Sequence, residues 1–314
     1  MRQAPLLILA YNRPDKMSAL INRLRSQAPP HLMIAVDGPK PGNEADAVRV
    51  KAVQDAIGGI DWSPKLETRI RPSNLGLRRA VVDAVSWATS EHGKVIVIEE
   101  DVLTGPDFLP YTQHMLDRYR DDERIAHISG YNVVPASALS RPGSGSRLTV
   151  YPESIAWATW ERAWTHYDDD LTWAMGCSVD DVARVTGSRA SATRWKMNFR
   201  DAHADRISTW AYRWIASMWS RGALTLSPNH NLVTYAGQDE GTNSTLAPRW
   251  KELPVYEGPF EPLLNGEVEQ DRKADEWVSR TVFDATPLGV VKGAAISAVL
   301  AGRKYQRARR ARVR

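Results

Sequence analysis

Lys94-Val-Ile-Val-Ile-Glu-Glu-Asp101 decides the architecture of this chain. Val95–Ile98 is entirely β-branched, and an unbroken apolar run of this kind suits a central strand covered on both faces. The predicted strand, Val95–Glu99, then opens into three consecutive carboxylates, Glu99, Glu100 and Asp101. Like charges this close repel, and burying them without a counter-charge is costly. Open α/β sheets bind ligands at the carboxyl ends of their strands. The acids therefore stand where such a fold performs its chemistry, either as a metal site serving a phosphate-bearing ligand or as a solvated turn before the next helix.

Working outward, Leu6–Ala10 is a predicted strand, followed by the turn Tyr11-Asn12-Arg13-Pro14. Pro14 suits the first position of a helix, where a missing N–H leaves nothing unpaired. That helix carries Met17, Leu20, Ile21 and Leu24 as its stripe and stops before Pro29-Pro30. Leu32–Val36 is a second strand ending in Asp37-Gly38-Pro39, and Glu44–Ile57 a second helix with Ala47, Val50, Val53, Ala56 and Ile57 on one face. Leu66–Ile70 is an edge-like strand, Asn74-Leu75-Gly76-Leu77 opens a third helix, and Gly105-Pro106-Asp107 starts a fourth. Ile125–Ser129 is a further strand closed by Gly130-Tyr131-Asn132. This β-α rhythm implies a mostly parallel, doubly wound α/β sheet, with polar groups at the strand ends converging on one crevice.

The second half differs. A Ser/Gly/Pro-rich loop, Ser137–Ser146, precedes a segment holding Trp157, Trp160, Trp164, Trp173, Trp195, Trp210, Trp214 and Trp219. The first three have helical i, i+3, i+7 spacing, which predicts a helical core stripe. The alternative is an aromatic platform for a sugar face, with Trp157 its member nearest the preceding loop. Ile207–Arg221 is a predicted helix and Ala223–Leu226 a short strand. The polar loop Asn229–Thr245, with Gly237-Gln238-Asp239-Glu240-Gly241, is either a lid or an ordinary exposed loop.

Composition sets bounds. The single cysteine, Cys177, excludes an internal disulfide framework and a Cys-rich zinc site. No run of ~20 apolar residues exists, so no spanning helix is expected. The N-terminus enters a strand directly, so no signal peptide is expected, and the expected location is cytoplasmic. Net charge is +4, but residues 303–314 carry seven Lys or Arg and no acid, and removing those seven takes the formal charge to −3. Basicity is therefore local and gives no case for nucleic-acid binding. Pro287–Gly302 is a mildly apolar helix leading into this tail. The pair fits either peripheral contact with the anionic inner face of a membrane or a docked helix with a disordered tail.

Several of these segments, in their order and spacing, resemble GT-A-fold glycosyltransferases. They are Ala10-Tyr11-Asn12-Arg13-Pro14, Val36-Asp37-Gly38, Arg71 to Leu77, Val97 to Asp101, Pro106-Asp107-Phe108 and Ile128 to Asn132. The likeness is greatest to the N-acetylglucosaminyltransferase I-like group with its bacterial sugar-transferase relatives, and it covers roughly Pro5–Thr245. It implies a GT-A, Rossmann-like domain over residues 1–262, with a nucleotide-binding half, 1–132, and a Trp-rich helical acceptor-side half, 133–262. Residues 263–314 would be a C-terminal helical extension with a basic tail. It implies a nucleotide-sugar donor, with UDP as the nucleotide, and inversion at the transferred sugar. Arg13 would reach the nucleotide or its phosphates, Asp37 would hydrogen-bond the base, and Asn74 would sit beside the nucleotide. Asp101 would bind a divalent cation, Mn²⁺ or Mg²⁺, while Glu99 and Glu100 hold ribose or metal-bound water. Asn132 and Trp157 fall on the acceptor side, and the acceptor is a glycan, a lipid-linked sugar or a small molecule.

The resembled group carries its catalytic base in a Trp-Asp segment; the matching stretch here, Ser208 to Trp214, has Ala211 in the acid's place. Asp239, Glu240 and Asp205 are the candidates to replace it, Asp239 foremost because it lies on the loop best placed to close over the donor. Two rival functions are a sugar nucleotidyltransferase and a non-catalytic carbohydrate-binding relative. The first would show a glycine-rich phosphate loop after the first strand, which Tyr11-Asn12-Arg13-Pro14 is not.

Overall fold

The computed structural model describes residues 3–62, 64–143, 145–236, 253–258 and 268–311, with backbone only at 303 and 305–311. The chain begins β1 (Leu6–Ala10), α1 (Pro14–Arg25), β2 (His31–Val36), α2 (Glu44–Ala56), β3 (Lys65–Ile70), α3 (Leu77–His92) and β4 (Lys94–Glu99). Next come β5 (Val102–Thr104), α4 (Phe108–Arg118), β6 (Ile125–Ser129), β7 (Ser146–Thr149), β8 (Ala156–Trp160) and α5 (Glu161–Trp164). Then follow α6 (Thr172–Gly176), α7 (Val179–Thr186), α8 (Arg189–His203), α9 (Ala211–Ser220), β9 (Leu224–Pro228) and β10 (Val233–Tyr235). Two helices, α10 (Arg272–Thr281) and α11 (Pro287–Ala311), end the described chain.

Eight strands form one mixed sheet in the order β3-β2-β1-β4-β8-β6-β9-β7. The first four are mutually parallel. The chain builds outward from β1 to β3 and then returns to place β4 on the other side of β1. This reversal is the topological switch point, and it opens a crevice at the carboxyl ends of β1 and β4. The β-branched run of β4 is 0–3% exposed throughout, as a strand covered on both faces must be. On α1, Met17, Leu20, Ile21 and Leu24 are buried at i, i+3, i+4 and i+7, and Pro14 holds the first helical turn.

The helical spacing of Trp157, Trp160 and Trp164 is a coincidence of position. Trp157 and Trp160 lie on β8, which runs antiparallel between β4 and β6, and only Trp164 is on a helix, the short α5. All three are core residues, no more than 4% exposed. The Trp157 ring stacks on His127 at 5.0 Å and on Trp210 at 5.2 Å between centroids. Burial holds His127 neutral, down to about 3, so its Nδ1 accepts from the Trp214 indole at 3.2 Å. Trp157→Ala would leave a cavity in this ring cluster. We expect a loss of about 3–5 kcal/mol in urea-unfolding free energy, the usual cost for a buried tryptophan. A platform residue facing solvent would lose well under half of that.

Beyond residue 262 the chain is tied into the sheet. Leu148 on β7 bridges to Gln270. Asp275 on α10 accepts from the Thr149 hydroxyl and the Val150 amide. The basic C-terminal run is not separate from its helix: α11 continues to Ala311.

Candidate functional site

Arg13, Asp37, Asn74, Glu99, Glu100 and Asp101 line one cleft of about 370 Å³ at the switch point, with Tyr11, Lys40, Arg71 and Ser208. Its walls are the carboxyl ends of β1, β2 and β4 and the first turn of α3. The six residues come together because parallel strands present all their carboxyl ends at one edge.

The three acids after β4 differ in surroundings. Burial, reinforced by Asp101 and Glu100, pushes Glu99 up to about 8. Burial likewise pushes Glu100 up to about 7, against the Tyr11 amide that its carboxylate accepts and against Arg13. Asp101 is ion-paired to the Arg13 guanidinium at 2.5 Å. Burial opposes the charge on Arg13, yet Asp101, Glu100 and Glu99 together hold its pKa above the ordinary value. Burial first, and the neighbouring acids second, raise Glu99 and Glu100, so a further cation beside them would favour their charged forms.

Asp37, expected to meet the base, is engaged with the chain itself. Its Oδ1 accepts from the Gly38 and Leu75 amides, each at 2.9 Å. Its Oδ2 accepts from the Asn74 side chain at 2.9 Å and the Gly76 amide at 3.1 Å. Four donors occupy this buried carboxylate and fix the turn that starts α3. Gly38 is required beneath it, since a Cβ there would lie 2.4–2.6 Å from the Ser73 backbone. Gly76 takes φ +78°, a left-handed conformation natural to glycine.

A second buried acid, unrecognised in the sequence, fixes the other wall. Asp46 on α2 accepts from the Tyr11 hydroxyl at 2.5 Å, the Asn12 amide at 2.6 Å and the Lys40 backbone at 2.7 Å. Those bonds outweigh its burial and hold its pKa below the ordinary value. The available signal was position: Asp46 stands one turn before Val50 on the buried face of α2.

The structure does not bring Asn132 or Trp157 to the cleft. Asn132 is buried; its amide donates to the Val134 and Asn229 carbonyls, and its oxygen accepts from Arg147 at 2.9 Å. Asp205 sits at a left-handed turn, φ +48°. It pairs with Arg213 at 3.5 Å and Arg78 at 3.7 Å, three residues before the cleft-lining Ser208. Asp239 and Glu240 lie outside the described residues.

Glu153, also unrecognised in the sequence, arrives at this edge because β8 is antiparallel: Ile98 pairs with Ala156, so the segment entering β8 reaches the end of β4. The Glu153 carbonyl accepts from Ser129 at the end of β6. Burial pushes its carboxyl up to about 7, against the pull of Arg147. Tyr235 feels the charges of Glu99, Asp101 and Glu153, and its ring lies 6.4 Å from that of Tyr131, whose hydroxyl is buried without a hydrogen-bond partner among the described residues.

The all-oxygen donors of the cleft suit Mg²⁺ or Mn²⁺. The three carboxylates do not converge on one point, so Asp101 would be the protein ligand and phosphate oxygens the rest. Among the described residues, only His31, Glu67 and His92 bring three ligand atoms within 4.8 Å of one another. That group lies at the opposite end of β2 and α3. Lys65 and His31 hydrogen-bond Glu67 and, against its burial, bring it down to about 2. Compared with known proteins, the chain matches no family model and no curated protein.

Proposed function

We propose that the protein is a metal-dependent glycosyltransferase of GT-A architecture, moving a sugar from a nucleotide-sugar donor, a UDP-sugar, to an acceptor hydroxyl with inversion. The observation that carries the reading is the pairing of Arg13 with Asp101 across the switch point, with two further carboxylates beside them. A nucleoside diphosphate with a divalent cation is the ligand that matches both signs of charge there. Asp101 would hold the cation, with Glu99 and Glu100 on ribose or metal-bound water, and the cation when bound would neutralise charge on the departing diphosphate. Arg13, Lys40 and Arg71 supply the cationic lining for phosphate oxygens. The Tyr11 ring, held by Asp46 and with the Lys40 ammonium 5.8 Å from its centroid, forms the wall where a nucleoside would rest. An inverting transfer also needs a carboxylate to take the acceptor's proton. Glu153 joins Asp239, Glu240 and Asp205 as a candidate, because it enters the same sheet edge with a raised pKa.

A thermal-shift screen of nucleoside diphosphates with and without Mn²⁺ tests the reading. UDP with Mn²⁺ is expected to raise Tm by a few degrees, since a ligand at a hundred times its Kd adds about 2.7 kcal/mol. No shift from any nucleoside diphosphate, with or without metal, would reject it.

A further inference from the structure

The most exposed apolar side chains of the described chain include four on α11: Leu288, Val291, Ile296 and Val299, at 62, 66, 55 and 55%. On a helix of 3.6 residues per turn they share one face, spanning roughly 140° of arc. The opposite face is packed. Gly293 meets α8 so closely that a Cβ would lie 2.6 Å from Arg194 and 2.9 Å from Met197. The Ser297 hydroxyl donates to Asp201 on α8 at 2.6 Å. Positions 303 and 310 continue the apolar face by the same periodicity, and both are arginine. Seven cations and no acid fill residues 303–314, while the rest of the chain carries a formal −3. No helix among the described residues is long and apolar enough to cross a membrane.

An apolar stripe on a docked helix running into a cationic end fits the interface of an anionic bilayer, where acyl chains take the stripe and headgroups the cations. The placement adds a consequence. The Lys304 ammonium donates to the Ala204 carbonyl at the end of α8. The turn there carries Asp205, paired to Arg78 on α3, and the chain reaches the cleft-lining Ser208 three residues later. Lys304 on α11 thus holds the segment that leads, four residues on, to the cleft-lining Ser208.

We propose that α11 is an in-plane anchor that docks the protein on an anionic lipid surface and sets the cleft at that surface. Resting further on the transferase reading, the acceptor class that fits is one carried by the membrane, such as a lipid-linked sugar.

Co-sedimentation with phosphatidylglycerol/phosphatidylcholine vesicles, against phosphatidylcholine alone, tests the anchor with no nucleotide present. A null result in this assay and a null result in the nucleotide screen are therefore separable. The full chain is expected to bind the anionic vesicles and release them at high salt. Binding should fall at least about tenfold in I296E/V299E and in a chain truncated after Gly302, with circular-dichroism melting confirming that both fold. Absence of binding to anionic vesicles, or equal binding by the full chain and both variants, overturns the proposal. So does I296E/V299E turning a dimer into a monomer in sedimentation velocity while vesicle binding persists, which would make this face a contact between copies.

Discussion

Asp101→Asn should abolish Mn²⁺-dependent binding of UDP while leaving the fold intact. The two side chains are nearly the same shape, and an asparagine oxygen still accepts from Arg13. The Asp101–Arg13 pair is 19 and 28% exposed by side chain, and Glu99 and Glu100 remain to offset the Arg13 charge, so the fold is expected to survive the loss of one carboxylate charge. The metal is affected differently. Removing a hydrogen-bond partner behind a metal ligand already costs 10–100-fold in affinity. Removing the charged ligand itself should exceed that, so calorimetry is expected to show at least a hundredfold loss of UDP affinity with Mn²⁺ and a small change without it. Glu100→Gln is the informative contrast. Glu100 stands near neutral pH with its proton partly retained and its oxygen on the Tyr11 amide, so the amide variant should lose far less. Undiminished Mn²⁺-dependent affinity in Asp101→Asn would sink the assignment of that residue.

The first half of the chain was legible because its central strands are covered on both faces and its helices on one. Those two burial patterns leave different marks: apolar runs such as Val95–Ile98, and stripes such as Met17 to Leu24. The same physics explains the failure at β8. A strand buried on both faces loses its alternation, so Ala156–Trp160 cannot be told from part of a buried helix by periodicity. β5 and β10, three residues each and paired only with one another, are too short to leave a pattern. The site was legible as a set of strand ends but not in its division of labour. Asp37 and Asp101 look alike in sequence; only the Asn74 turn folding back onto Asp37 separates a carboxylate that holds the backbone from one open to a ligand. The surroundings of Asn132 were hidden for the same reason, because its partners Arg147 on β7 and Asn229 just past β9 are distant in sequence.

The candidate base of the proposed transfer is where topology adds what sequence spacing could not supply. Glu153 lies in a segment with no helical or strand pattern, 52 residues after Asp101. Only the antiparallel insertion of β8 brings it to the end of β4. Three features favour it over Asp205 among the described carboxylates. Asp205 is 57% exposed and holds Arg78 and Arg213, contacts that keep its charge occupied. Glu153 carries no such pair among the described residues, and burial raises its pKa to about 7, near the value that lets a base both hold and release a proton at neutral pH. The unpartnered Tyr131 hydroxyl adds a polar group beside it. Glu153→Gln is therefore expected to lower single-turnover UDP release by roughly 10²–10⁴-fold, the usual worth of a positioned base, with donor affinity unchanged. The pH profile gives an independent check. A base must be ionised to act, so wild-type rate should rise through about pH 7 to a plateau, and that limb should vanish in Glu153→Gln. Asp205→Asn should keep both rate and profile within a few-fold. Near-normal turnover in Glu153→Gln, with the limb intact, removes it as the base and passes the same pair of measurements to Asp239 and Glu240.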